Sequence, residues 1–467
     1  MKITSAQKGS IMSAIARRFL DEAGLTTLLS ASLDTQLLCA QRFVRMLAYS
    51  GSTLVLVAHL SNLGNSDRQT GFFMTLTLCG DVLISIVLTL FADKMGRRMT
   101  LLIGSALMVG SGLVFAISED FSVLLLASIF GVISPSGEEV GPFRAVEEST
   151  LAHLTADNER TDIYAWYGLL GFGGQSMGVL LTGWVINRLL SSGFTVIHAY
   201  KAVFYGYALV GVIKFVLTYL MSTAVEVAPQ PNQPKSLARL LPHFRRETIA
   251  LTIQLCILFG IDNFASGLVS FSWITYYFQR KFGIEESQLG VLFSIALIIS
   301  AISVLVASSI SKRLGNTMVF THLPSTIALS LIPLPSTLGP AVVFLFLRNS
   351  CKNMDVAPRA ALLAAIIPAD ERTAVIGTIN VVKTLGQSLG PLVTGALSHA
   401  GRIAWSFVLA GALNAGYDLT FLVMFAHRDT EMVKQRSRVN EDEDEVALGL
   451  LDDEDEEAAH IHGGSRQ

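Results

Sequence analysis

Apolar runs of about 20 residues recur along this chain between short polar turns, and that length crosses a bilayer as a helix. Twelve such runs can be traced: 36–59, 71–91, 99–118, 121–148, 163–187, 199–222, 249–277, 286–310, 317–337, 340–367, 373–398 and 402–426. The longest polar interruption, VEVAPQPNQPKSLARLLPHFRRE at 223–247, divides them six and six. Its prolines oppose regular structure, and SLARLLPHF after them reads as a short amphipathic helix on the membrane surface. The pattern predicts an all-α membrane protein with twelve transmembrane helices in two pseudo-symmetric six-helix bundles. The expected parts are a cytosolic N-terminal segment (1–35), a first bundle (36–222), a central cytosolic loop (223–248), a second bundle (249–426) and an acidic, disordered cytosolic tail (427–467).

Composition agrees. The chain is 51% hydrophobic and 15% charged, too few charges to cover a soluble surface for 467 residues. An even number of spans puts both termini on one side. The Lys and Arg in the connecting segments place that side in the cytosol. A plasma or a vacuolar membrane suits equally. The N-terminus lacks the continuous apolar core of a signal peptide. Cys39, Cys79, Cys256 and Cys351 are far apart in apolar runs, which is neither a disulfide framework nor a metal spacing.

The chain also repeats itself. ERTDIYAWYGLLGFGGQSMGVLLTG from Glu159 to Gly183 is echoed by ERTAVIGTINVVKTLGQSLGPLVTG from Glu371 to Gly395. Small residues let membrane helices pack closely, which accounts for GQSxG alone. It does not account for Glu-Arg-Thr at the same distance ahead of both copies. The first copy opens the fifth run and the second the eleventh, so the two bundles read as a duplication. Paired halves around a site at the membrane midplane are a transporter's architecture.

After the second run comes LTLFADKMGRRMTLL, 88–102. Asp93-Lys94-x-Gly96-Arg97-Arg98 resembles the signature loop of the major facilitator superfamily, which lies between helices two and three, as it does here. The leading glycine of that signature is Thr89 in this chain, and the second half carries a degenerate copy, SISKRLGNTMVF, with Lys312 at the aspartate position. Gly96 permits a turn with positive φ. Arg97 and Arg98 hold the loop in the cytosol against lipid phosphates. The resemblance implies that Asp93 latches one state by docking at the start of helix eleven, near Arg372-Thr373. A carboxylate at a helix N-terminus is worth about 0.3–1 kcal/mol there. It also implies that helices one, four, seven and ten line a central cavity.

A charge at bilayer depth costs at least about 2.5–3.5 kcal/mol, so charges inside spans are normally paired or line a water-filled cavity. Here they collect on those four helices: Arg42 and Arg45 on the first, Glu138, Glu139, Arg144, Glu147 and Glu148 on the fourth, Asp262 on the seventh, and Arg348, Lys352, Asp355 and Arg359 on the tenth. Elsewhere stand Asp81, Lys201, Lys214, Lys383 and Asp418. Arg42, Arg45, Glu138, Glu139, Asp262, Lys352, Asp355 and Lys383 are the candidates for binding solute or protons. Asp81, Asp93, Gly96, Arg97, Arg98, Arg144, Glu147, Arg160, Arg359 and Arg372 are the candidates for gates or latches. Glu147 precedes Arg160 by the same interval as Arg359 precedes Arg372, so the two are repeat mates of opposite sign. They could close the cavity floor as a pair between the halves. The alternative pairs Glu147 or Glu148 with Arg42 or Arg45 inside the first half. Asp262 and Asp355 are either proton sites or fixed partners of Lys383 and Lys352. Pro135 and Gly137 are expected to break helix four beside its carboxylates.

The sequence therefore predicts a secondary transporter that moves a small polar or charged solute by alternating access, with proton coupling open to it. Its partners would be that solute, the lipid bilayer and protons. No nucleic acid, cofactor or metal is expected, and the monomer would suffice. An exporter of lipophilic drugs or toxins by proton antiport is the second reading; a transporter-like nutrient sensor without flux is the third. No nucleotide loop or nucleophile constellation suggests an enzyme.

Overall fold

The computed structural model describes residues 24–137, 142–156, 159–226, 246–311, 317–356 and 371–424, together with 359, 363 and 366–368; side chains at 86–94, 246–247, 305, 307–311, 317–321 and 373 are outside the description. Asp93, Glu138, Glu139, Lys312, the 227–245 part of the central loop and the acidic tail all fall outside it.

The described residues are helical almost throughout. A short α1 (Leu25–Ser30) leads into α2 (Leu33–Asn62), α3 (Asp67–Met95) and α4 (Arg97–Ile117). Then come α5 (Phe121–Phe130), α6 (Pro142–Leu154), α7 (Arg160–Ser191) and α8 (Val196–Tyr219). Beyond the central loop are α9 (Arg246–Leu268), α10 (Phe271–Phe282), α11 (Glu286–Ser311) and α12 (Thr317–Leu331). The last three are α13 (Leu338–Cys351), α14 (Arg372–His399) and α15 (Ala404–Met424). Among the described residues, seven spans are long and apolar enough to cross a membrane, counting α9 and α10 as one. The chain is thus an all-α multi-pass membrane protein. Ile249, Ile253 and Ile257 on α9, and Ile295, Ile298 and Ile302 on α11, form exposed stripes at helical spacing, which is where lipid chains would lie.

Three of the expected spans are interrupted. The run 121–148 is two helices, α5 and α6, with residues 131–137 non-helical and Gly137 at φ +72°. The run 249–277 breaks between Leu268 and Phe271, and 340–367 stops being regular helix at Cys351. An interruption at membrane depth must satisfy its own carbonyls. Side chains do this for 131–137: the Tyr207 hydroxyl donates to the Val132 carbonyl, Thr53 reaches that of Ser134 (2.8 Å), Ser272 that of Pro135 (2.8 Å), and the Gln175 amide that of Gly137 (3.2 Å).

The two halves meet along α3–α14 and α7–α11. Backbones touch there because the crossings use glycine. A Cβ added at Gly390 would lie 2.2 Å from the Gly267 backbone carbon within the second half, and one at Gly71 would lie 2.5 Å from the Pro391 carbonyl across the halves. The main apolar core runs continuously from one half into the other. A second, separate cluster (Leu255, Leu258, Phe259, Val375, Ile379, Tyr417, Phe421) belongs to the later half alone.

Candidate functional site

Along α7, residues near the Leu63–Ser66 turn touch the other half: Gly183 lies against Glu286, Val179 against Gly290, and Ser176 hydrogen-bonds Ser294 at 2.7 Å. One turn further, Gln175, Phe172, Gly171 and Gly168 line a cavity instead. On α11 the change falls around Ser294, which meets Ser176 while Phe293, Ala296 and Leu297 line the cavity. The halves are therefore closed at the 63–66 end and parted toward the Gly96 end. At the 63–66 end a separate cleft of 540 Å³ lies among Asn62, Asp67, Tyr276, Arg280 and Ser398; toward the Gly96 end the space between the halves is 440 Å³. Arg42, Arg144, Arg348 and Lys352 contribute its charge; Phe172, Phe271, Ile274 and Phe293 contribute apolar wall.

The closed end is fastened by Asp67, the first residue of α3. Arg280 donates to it at 2.8 Å, the Tyr276 hydroxyl at 3.0 Å and the Ser398 hydroxyl at 2.6 Å, all three from the other half. Tyr200 adds a bond to Glu286 at 2.6 Å. On the same rim, outside the helices, Glu119 takes a hydrogen bond from Lys201 at 2.6 Å, and that bond holds its carboxyl below the usual range.

Each half has its own buried charge cluster. In the first, Glu147 on α6 is met by Arg45 from α2 (2.5 Å) and Lys214 from α8 (2.9 Å), all with 0% exposed side chains. The Tyr167 hydroxyl donates to its other oxygen at 2.7 Å, and Gln41 accepts from Lys214. In the second, Arg359 lies between Asp262 (3.4 Å) and Asp355 (3.1 Å), and His322 pairs with Asp418 at 2.9 Å. Arg45, Glu147 and Lys214 come from the first, fourth and sixth runs of their half. Asp262, Arg359 and Asp418 come from the corresponding runs of theirs. The signs are inverted, plus-minus-plus against minus-plus-minus.

Glu147 and Arg359, repeat mates in sequence, thus each pair inside their own half; with the halves parted at that end they do not meet. Arg42 stacks on Tyr167 at 4.3 Å. Lys383 lies over Phe259 at 5.7 Å, and the carboxylates of Asp262 and Asp355 contact Arg359. Arg144 pairs with Glu148 at 2.7 Å, and Arg160 ties the end of α6 through the Ala152 carbonyl. Asp81 is buried on α3, and Arg372 is half-buried at the start of α14.

The Gly96 turn holds a residue the sequence did not single out. Glu226 accepts from the backbone N–H of Arg97 (2.7 Å) and Arg98 (3.0 Å), capping α4. Arg98 in turn donates to the Tyr219 carbonyl and stacks on its ring. Gly96 has φ +90°, and a Cβ there would lie 2.8 Å from the Glu226 carboxylate. Gly96→Ala is expected to cost about 1–3 kcal/mol from the positive φ, plus part of the cap. A drop in melting temperature larger than that of Glu226→Gln would show both losses; an unchanged melting temperature would refute this account of the turn.

The profile of the Major Facilitator Superfamily matches residues 38–350 and again 255–451. This chain belongs to the major facilitator superfamily. This facilitator is a secondary transporter working by alternating access across a lipid bilayer, and not an enzyme. It is 35% identical over 436 residues to the uncharacterized membrane protein YJR124C of Saccharomyces cerevisiae, covering 87% of this chain and 97% of that one. It is 23% identical over 167 residues to the quinolone resistance protein NorA of Staphylococcus aureus, 36% of this chain and 39% of the other. Its fold is similar to that of a D-xylose–proton symporter (TM-score 0.66, 14% identity, 83% of this chain and 96% of that one). It is also similar to the nucleoside transporter NupG (TM-score 0.63, 15% identity, 84% of this chain and 98% of that one).

Sequence reading missed Lys214, Tyr167, Glu226 and the Asp67–Arg280 fastening as site residues. Lys214 carried a signal, a lone cation inside GVIKFVL. Asp67 and Arg280 carried none, since both lie at span ends where charge is ordinary.

Proposed function

We propose that this facilitator moves a small polar or charged solute, and that the described state faces the cytosol. In this reading twelve helices form two six-helix bundles, both termini are cytosolic, the Gly96 end is the inner end and the monomer is the working unit. The observation that carries it is the 440 Å³ space between the halves, closed at one end, with four cations among its described lining residues. A solute entering there is released when the halves rock and the 63–66 end parts. Asp262 and Asp355, beside Arg359 in the second half, are the groups through which a proton would couple to that motion.

The second reading, a proton-driven exporter of lipophilic compounds, draws support from the partial likeness to NorA and from the phenylalanines of the cavity wall. Proteoliposomes under an imposed pH difference separate the two. Internal pH is followed while a pool of polar metabolites or a pool of lipophilic drugs is added. Proton movement set off by the polar pool, and lost in Asp262→Asn, is the expected result. A response to the drug pool alone would replace the first reading with the second. Silence from both with folded protein would remove proton coupling.

A further inference from the structure

We propose that the transported solute is a small organic anion, and that its carboxylate or phosphate seats at the N-terminus of α10. This rests on the transporter reading above and names the cargo class of the same cavity.

The break before α10 puts the start of a 12-residue helix at the cavity wall. The first N–H groups of a helix have no partners within it, and the helix dipole makes that end positive. A helix N-terminus of this kind commonly has its N–H groups satisfied by a capping side chain. Ser270, at the cap position, makes no such bond. The residue, 6% exposed, is part of the cavity lining, and its buried Oγ has no hydrogen-bond partner. A buried hydroxyl left without a partner costs free energy. A ligand oxygen would satisfy it together with the helix N–H groups. Ser272, two residues on, already spends its hydroxyl on the Pro135 carbonyl, which fixes the α10 start against the interruption of the fourth run.

Among the described residues, the charge of the wall has one sign. Among the described residues lining the cavity, those that carry charge are Arg42, Arg144, Arg348 and Lys352. Arg144 is engaged by Glu148. The planar fork of an arginine has five donors whose geometry matches a carboxylate or phosphate. Arg348 is 8% exposed, which removes much of the water that would weaken such a bond. The volume, 440 Å³, lies within the range of about 300–1,000 Å³ common for small-molecule sites. Phe271 and Phe293 give the uncharged remainder of the solute an apolar surface.

The test is uptake into proteoliposomes of three labelled sets at fixed pH: succinate, benzoate and 3-phosphoglycerate; choline and putrescine; glucose and glycerol. Uptake of at least one anion, with cations and neutral compounds excluded, is expected. Ser270→Ala should raise the uptake KM for that anion about tenfold, as loss of one hydrogen bond to a charged group does. Arg348→Gln should cost more, and Arg348→Lys should restore part of it. Variants are compared at equal monodisperse yield. Uptake of only cationic or neutral compounds overturns the anion proposal and leaves the transporter reading standing. Uptake of nothing, with the reconstituted protein folded, overturns both. Anion uptake indifferent to Ser270→Ala and Arg348→Gln overturns the placement at α10.

Discussion

Glu147→Gln is expected to destabilise the protein by about 3–5 kcal/mol, the cost of removing one member of a buried ion pair. The carboxylate stands between Arg45 and Lys214, and neither cation has any exposed side-chain surface. Glutamine keeps the shape and can still accept from Tyr167. What it cannot do is offset two positive charges in a low-dielectric interior. Both would remain over the Phe143 ring, where Lys214 lies at 4.4 Å and Arg45 at 5.1 Å from the centroid, and a ring quadrupole replaces only part of an anion. Thermal melting in detergent and the monodisperse fraction on size exclusion check this. Removing one cation as well, in Glu147→Gln with Lys214→Met, should recover part of the loss, because one unmatched buried cation is left in place of two. A single variant that melts within a few degrees of the parent would mean that Glu147 is dispensable to the first half.

Asp67→Ala should act on conformation instead of folding. It removes three bonds that reach across the halves at the 63–66 end, from Arg280, Tyr276 and Ser398. Arg280 is 57% exposed, so water weakens its contribution, and the two hydroxyls are the more dependable partners. Hydrogen bonds to a charged group are worth about 1.5–3 kcal/mol, which would shift the balance between the two facing states about 10- to 100-fold. Spin labels at Asn65 and Arg402 would report it as a longer distance population, on a background with the four free cysteines replaced. A distribution unchanged from the parent would show that glycine packing, not Asp67, holds this end shut. Arg280→Lys should lie between parent and Asp67→Ala.

The spans were legible because bilayer thickness sets a length that hydropathy records directly. The interruption of the fourth run was legible too, since Pro135 and Gly137 advertise it. The one before α10 was not: no proline stands near Ser270, and GLVSFSW reads as continuous helix. That is why the residue with the unpartnered hydroxyl escaped notice. Charges were easy to find and hard to pair. Repeat arithmetic put Glu147 opposite Arg359, but contact depends on helix rotation and on which state the halves occupy. Lys214 and Glu147 meet because α6 and α8 turn those faces toward α2, and spacing along one helix carries no information about its neighbour's rotation.

The placement of the ion pairs has a kinetic consequence. Among the described residues, the buried clusters Arg45–Glu147–Lys214 and Asp262–Arg359–Asp355 each lie wholly inside one half. Between the halves run glycine backbones and hydroxyls, with Asp67–Arg280 at a rim that water reaches. For these two clusters, rocking does not carry the largest penalty available in a membrane, that of separating dry opposite charges. Each bundle carries its own cluster with it as it turns, like a bearing race that carries load without being cut, and the interface between them is left to slide.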